Sequence, residues 1–169
     1  VEVESEPGQG SLFRVVLPVD ASAATNRRDS GEPISFNFTR AEVREAFLEN
    51  ARTVLVAEDD DVFFRGLAGD LEAGGYRVVR ARDGDEVVDL ALAENPVAIS
   101  LDLVLPGRDG WEVLKELKSD PRTASVPVII VSLIENHELG FALGADDYFQ
   151  KPLDRERFLA RVRELTQLD

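Results

Sequence analysis

The chain has 169 residues, with 33 Asp and Glu against 19 Lys and Arg, one His, no Cys and no Met, and a formal net charge of −14. An apolar fraction of 44% is enough to build a core, which excludes an acidic disordered tail, and the excess acid disfavours a nucleic-acid partner, whose backbone is captured by Lys and Arg. Without cysteine and with a single His there is no thiolate zinc site, disulfide framework or Cys nucleophile, so any metal must be a hard ion held by oxygen.

No window approaches the roughly 18 uninterrupted apolar residues of a membrane helix, and no basic-then-apolar start reads as a signal peptide. A cytosolic setting with no direct membrane contact from this segment is the expectation. The start at Val1 and the lack of methionine predict a piece of something longer.

Residues 1–20, VEVESEPGQGSLFRVVLPVD, read as two strands joined at Pro7-Gly8-Gln9-Gly10, a hairpin. Residues 21–51 read as a linker. Its first part, ASAATNRRDSGEP, is small, polar and turn-forming, and TRAEVREAFLEN (39–50) sets Val43, Ala46, Phe47 and Asn50 at helical spacing behind a Thr cap.

From Thr53 the pattern becomes regular. TVLVA (53–57) is a buried-type strand, and the stretch 62–73 carries Phe64, Leu67 and Leu71 at helical spacing before Gly74-Gly75 stops it. The unit then repeats: YRVVRA (76–81) before a helix over 85–94, VAISL (97–101) before 111–119, VPVIIVS (126–132) before 136–143, and DYFQ (147–150) before 154–168. Alternating βα units joined by right-handed crossovers predict a doubly wound parallel sheet, and five of them predict the flavodoxin-like order 2-1-3-4-5. Ligands of such sheets sit at the carboxyl ends of the first and third strands, where strand order reverses.

Glu58-Asp59-Asp60-Asp61 follow the first strand and Asp102 closes the third, in SLDLVLPGRDGW (100–111). Two carboxylates about 5 Å apart repel by roughly 3 kcal/mol at an effective dielectric near 20, so a cluster of them calls for a divalent cation such as magnesium or manganese. The alternative is a solvated loop in which one Asp caps the following helix. Ser132 ends the fourth strand and Lys151-Pro152 follow the fifth, which brings a hydroxyl and an ammonium to the same edge. A carboxylate nucleophile with these neighbours suits phosphoryl transfer to a carboxylate.

The stretch 52–169 resembles the receiver domain of bacterial two-component response regulators, with motifs in order at every strand end. VLVAEDD resembles the family's acidic pair at Glu58 and Asp59, and DLVLPGRDG its phosphoacceptor loop, with Asp102 as acceptor and Pro106, Asp109 and Gly110 in place. IIVS supplies Ser132 as the switch hydroxyl, and GADDYFQKP supplies Tyr148 as the switch aromatic and Lys151 before a proline that the family usually holds cis. The resemblance implies that Asp102 takes a phosphoryl group from a phosphohistidine, on a histidine phosphotransfer protein or a histidine kinase. It also implies magnesium held by Asp59, Asp102 and the Val104 backbone carbonyl, with Glu58 reaching it through water.

Four positions depart from the usual pattern. Leu133 follows the switch hydroxyl where a small residue is preferred, Glu58 replaces the commoner Asp, and Val104 and Ile134 are apolar where fast-hydrolysing members carry polar groups. The last departure predicts a long-lived acyl phosphate.

The wording SEPGQGSLFRVVLP resembles the closing hairpin of the ATP-binding domain of sensor histidine kinases. Followed by a receiver, it implies a hybrid histidine kinase in which residues 1–20 are the end of the ATPase domain. The ATP-binding boxes and the histidine-bearing helix are missing from this sequence, so the segment itself does not autophosphorylate from ATP. Homodimerisation through the connector helix is left open. Two alternatives stand beside this: a haloacid-dehalogenase-type phosphatase, which wants a second Asp where Val104 stands, and a degenerate receiver that binds partners without phosphorylation. His137 reads as a solvated surface residue, Trp111 as a packing residue, and Gly66 and Gly69 have no functional reading.

Overall fold

A computed structural model describes residues 2–6, 10–14 and 52–167. The first described element is an antiparallel hairpin, β1 (Glu2–Glu6) with β2 (Gly10–Arg14), in a register that sets Val3 opposite Phe13. The strand pair expected in residues 1–20 is therefore present. Of its expected turn at Pro7-Gly8-Gln9-Gly10, Gly10 belongs to β2, and the other three residues, the linker and the connector helix over 39–50 lie outside the described residues.

The second unit is a five-stranded parallel sheet with five helices. In chain order it contains β3 (Arg52–Ala57), α1 (Asp61–Ala73), β4 (Tyr76–Ala81), α2 (Gly84–Glu94), β5 (Ala98–Leu101), α3 (Gly110–Ser119), β6 (Val128–Ser132), α4 (His137–Ala142), β7 (Asp147–Gln150) and α5 (Arg155–Thr166). The order across the sheet is β4-β3-β5-β6-β7, which is the expected 2-1-3-4-5 counted within this unit.

The central strands read as unbroken apolar runs because both of their faces are covered. Side chains alternate between two cores. Leu55, Ala57, Ile99, Leu101, Val128 and Ile130 pack with Val87, Val88 and Ala91 of α2 and Val113, Leu114 and Leu117 of α3. Val54, Val56, Ile129 and Val131 face the other way, onto Leu67 and Leu71 of α1 and Phe158 and Val162 of α5.

The helix starts follow side-chain caps. Asp60, Asp83, Asp109, Asn136 and Asp154 each accept a hydrogen bond from a backbone N–H of the first turn, which satisfies one of the donors a helix start leaves free. These caps move boundaries slightly from the sequence expectation. Strand β6 begins at Val128 and not Val126, because the Val126 amide is taken by a turn to the Thr123 carbonyl and Pro127 has no N–H to give.

Candidate functional site

Parallel register brings the acids together. Ala57 of β3 pairs with Leu101 of β5, so the next residues of both strands emerge at the same level of the sheet edge. The ladder continues one step further: the Glu58 amide donates to the Ala81 carbonyl at 3.0 Å, and the Asp102 amide to the Ala57 carbonyl at 3.0 Å. Glu58 and Asp102 are consequently buried, at 2% and 5% exposure, whereas Asp59 has left the ladder and is exposed.

Ser132 is delivered by the end of β6 and Lys151 by the turn after β7. The Lys151 ammonium bridges two carboxylates, 2.6 Å from Asp102 Oδ2 and 2.7 Å from Glu58 Oε2, and lies 4.3 Å from the centroid of the Phe63 ring. On the other oxygen of Asp102, the Ser132 hydroxyl and the Val104 amide both donate to Oδ1, each at 2.9 Å. One oxygen each of Glu58, Asp59 and Asp102 lie within 4.8 Å of one another. Glu58, Asp59, Ser132 and Lys151 therefore share one site with Asp102.

The charges explain what that site is suited to hold. Three carboxylates face one ammonium. Burial is the first cause that pushes the Glu58 carboxyl above its ordinary range, although Lys151 pulls in the opposite direction. For Lys151, burial acts to lower the ammonium, but its bonds to Asp102 and Glu58 outweigh that and hold it above the usual lysine range. The Asp59 carboxylate has no protein hydrogen-bond partner among the described residues. Clustered hard oxygen donors with surplus negative charge fit a magnesium ion.

Tyr148 lies in β7 and is turned inward at 5% exposure, and its hydroxyl donates to the Ile134 carbonyl at 2.5 Å. Burial raises its phenol above the ordinary tyrosine value. The ring rests on α4, where Gly140 leaves room for it: a Cβ there would stand 2.9 Å from Tyr148 Cδ2. His137 stacks on the same ring, with centroids 4.3 Å apart and planes 18° from parallel. His137 is exposed as expected, but it is one half of an aromatic stack and not simply solvated, a contact that depends on how α4 is turned.

The loop after Asp102 is closed by Gly110, the first residue of α3. Its missing side chain matters, because a Cβ would stand 2.5 Å from Leu103 Cα and 2.9 Å from the Asp102 carbonyl oxygen. Asp109 caps α3, the Lys151–Pro152 peptide is cis, and Trp111 packs against the core at the base of the loop.

Residues 54–163 match the family model of the response regulator receiver domain. The chain belongs to that family. Among curated proteins, the receiver is 42% identical over 115 residues to the DNA-binding dual master transcriptional regulator RpaA of Synechocystis, covering 66% of this chain and 48% of RpaA. It thus spans about half the length of that relative. Among solved structures it matches a response regulator from Chloroflexus aurantiacus at a TM-score of 0.66 and 30% identity, over 70% of this chain and 99% of the other. It also matches the receiver domain of the sensor histidine kinase PA1611 from Pseudomonas aeruginosa, which has magnesium coordinated in its active-site cleft, at a TM-score of 0.63 and 26% identity, over 69% and 98% of the two chains. Receiver domains bind magnesium at an acidic site and work with histidine kinases and phosphotransfer partners in two-component signalling.

Several contributors escape a sequence reading. Phe63, whose ring faces the Lys151 ammonium, and Arg80, which reaches the acidic loop from β4, read only as members of a helix and a strand. Of the acidic run, Asp60 is the cap, and Asp61 pairs with Arg80 and Arg82, whose bonds lower its carboxyl below the ordinary range. Gly66, without a reading from sequence, leaves space for the Arg155 guanidinium, which bonds Asp70 at 3.1 Å. Nothing lies near enough to Gly69 to explain it.

Proposed function

We propose that this receiver accepts a phosphoryl group on Asp102 from a phosphohistidine and passes the signal on through the face formed by α4, β7 and α5. The observation that carries the reading is the convergence of Lys151 and Ser132 on the two oxygens of Asp102, beside Glu58 and Asp59. In the proposed step a carboxylate oxygen of Asp102 attacks phosphorus in line, the phosphorus–nitrogen bond breaks, and the imidazole leaves with the electron pair. Asp59, Asp102 and the Val104 carbonyl would hold magnesium, with Glu58 reaching it through water; bound there, the ion neutralises charge on the phosphoryl oxygens. Lys151 is placed to pair with a phosphoryl oxygen.

Ser132 and Tyr148 form the proposed switch. Ser132 already touches Asp102 and Tyr148 is already turned in, the pair of positions this reading assigns to the phosphorylated form. Phosphorylation then has only to bias an equilibrium between two packings, a matter of a few kcal/mol. Val104 and Ile134 are 54% and 36% exposed and apolar, so neither offers a group to orient an attacking water, which supports a long-lived acyl phosphate.

The wider context is proposed on the same footing. Residues 1–20 are read as the end of a kinase ATPase domain, 21–51 as linker and 52–169 as the cytoplasmic receiver of a hybrid histidine kinase. The paired hairpin and the PA1611 receiver, itself part of a sensor kinase, support this.

Incubation with acetyl phosphate, followed by intact mass spectrometry, tests the central reading. One added phosphoryl group with magnesium, lost with a chelator, is expected. A chain that stays unmodified in both, with a backbone NMR spectrum unchanged by beryllofluoride and magnesium, would instead indicate a degenerate receiver.

A further inference from the structure

The acidic loop between β3 and α1 is gripped from the neighbouring strand. Arg80 stands on β4 opposite Val56 of β3, and its side chain, 12% exposed, runs forward along the sheet edge. Its Nε donates to the Glu58 carbonyl at 3.0 Å and its Nη2 to the Asp59 carbonyl at 2.9 Å, while Nη1 pairs with the Asp61 carboxylate. The guanidinium carbon lies 4.4 Å from the centroid of the Phe64 ring on α1, and Arg82 reinforces the anchor at Asp61 from 3.0 Å.

Those two carbonyls belong to the peptide planes on either side of the Asp59 Cα. The Asp59 carboxylate itself is exposed and has no protein partner among the described residues, so its direction is set through its backbone. We infer that Arg80 is a positioning residue for the metal-binding acids: by bridging both carbonyls it fixes the planes that aim Asp59 and Glu58 at Asp102. This rests on the proposed role of those acids in holding magnesium. The planar fork of arginine is what the geometry requires, because a lysine ammonium is a point donor that cannot span two carbonyls and a carboxylate together.

Charge and positioning make opposite forecasts, which allows a clean test. A cation near a magnesium site repels the ion, so if charge alone mattered, Arg80→Gln would tighten magnesium binding and Arg80→Lys would leave it unchanged. Magnesium chloride is titrated calorimetrically into the full chain for the wild type, Arg80→Lys, Arg80→Gln, Arg82→Gln and Asp59→Asn, with circular dichroism melts of each. Both Arg80 variants should lose about tenfold or more in affinity, the effect typical of groups that orient metal ligands, while Arg82→Gln stays near wild type. Wild-type affinity in Arg80→Lys, or tighter binding in Arg80→Gln, overturns the inference. If Asp59→Asn weakens binding and the Arg80 variants do not, only this inference fails; if the wild type binds no magnesium, the metal reading falls and takes this one with it. Should the Arg80 variants not fold, the wild type still decides: the Arg80 Nε proton should exchange slowly and shift on magnesium addition, and a fast-exchanging, unresponsive proton overturns the proposal.

Discussion

Glu58 is the most buried of the three clustered carboxylates, and its burial, with the Asp102 charge beside it, holds its carboxyl above the ordinary range despite Lys151. A carboxyl whose folded pKa is raised contributes stability below the unfolded value and loses it as pH rises through the folded value. Melts in chelator should therefore show Glu58→Gln gaining on the wild type as pH climbs above about 4.5, and parallel curves from there to neutrality would refute this account of the site's electrostatics. Lys151 is the counterpart. Its ammonium is the common partner of two buried acids, so Lys151→Met leaves both unpaired and should cost about 3 kcal/mol in chemical denaturation, the lower range for breaking a buried pair. It should also abolish labelling by acetyl phosphate. A variant as stable as the wild type would mean that solvent screens the cluster.

At the scale of elements, two helices are set by what their glycines leave room for. The start of α3 presses on the phosphoacceptor loop through Gly110, whose nearest neighbours are backbone atoms that cannot turn aside. Gly110→Ala should lower stability by about 1–3 kcal/mol, the usual cost of overpacking, and slow phosphorylation by displacing Asp102; unchanged denaturation and labelling rates would contradict that packing. In α4 the crowding is against side chains, Tyr148 and Ile130. Gly140→Ala is expected to push the Tyr148 ring outward, cost its bond to the Ile134 carbonyl and loosen the His137 stack. Ring-proton NMR shifts of Tyr148 and His137 check this, and shifts identical to wild type would show that the ring is not held by α4.

At the scale of the whole molecule, the sheet was readable because its chemistry is local. The strands expected over 76–81 and 147–150 have those bounds in the fold, and Asp102 and Glu58 follow central strands whose register brings them level. Contacts between elements were not readable in this way. Arg80 is one more residue of a strand until the pairing of β4 with β3 aims it at the acidic loop, and His137 is a lone imidazole until α4 lays it on Tyr148. The receiver holds its own two cores, so a fragment of residues 52–169 should melt and accept phosphate like the full chain, and loss of either property would make the preceding residues part of the fold. The central claim concerns one carboxylate, and chemical trapping reaches it directly. Borohydride reduction after treatment with acetyl phosphate and magnesium, followed by peptide mass spectrometry, should convert Asp102 to homoserine and leave Glu58 and Asp59 unchanged, with no conversion in Asp102→Asn. Reduction at another acid, or labelling that survives in Asp102→Asn, would contradict the account.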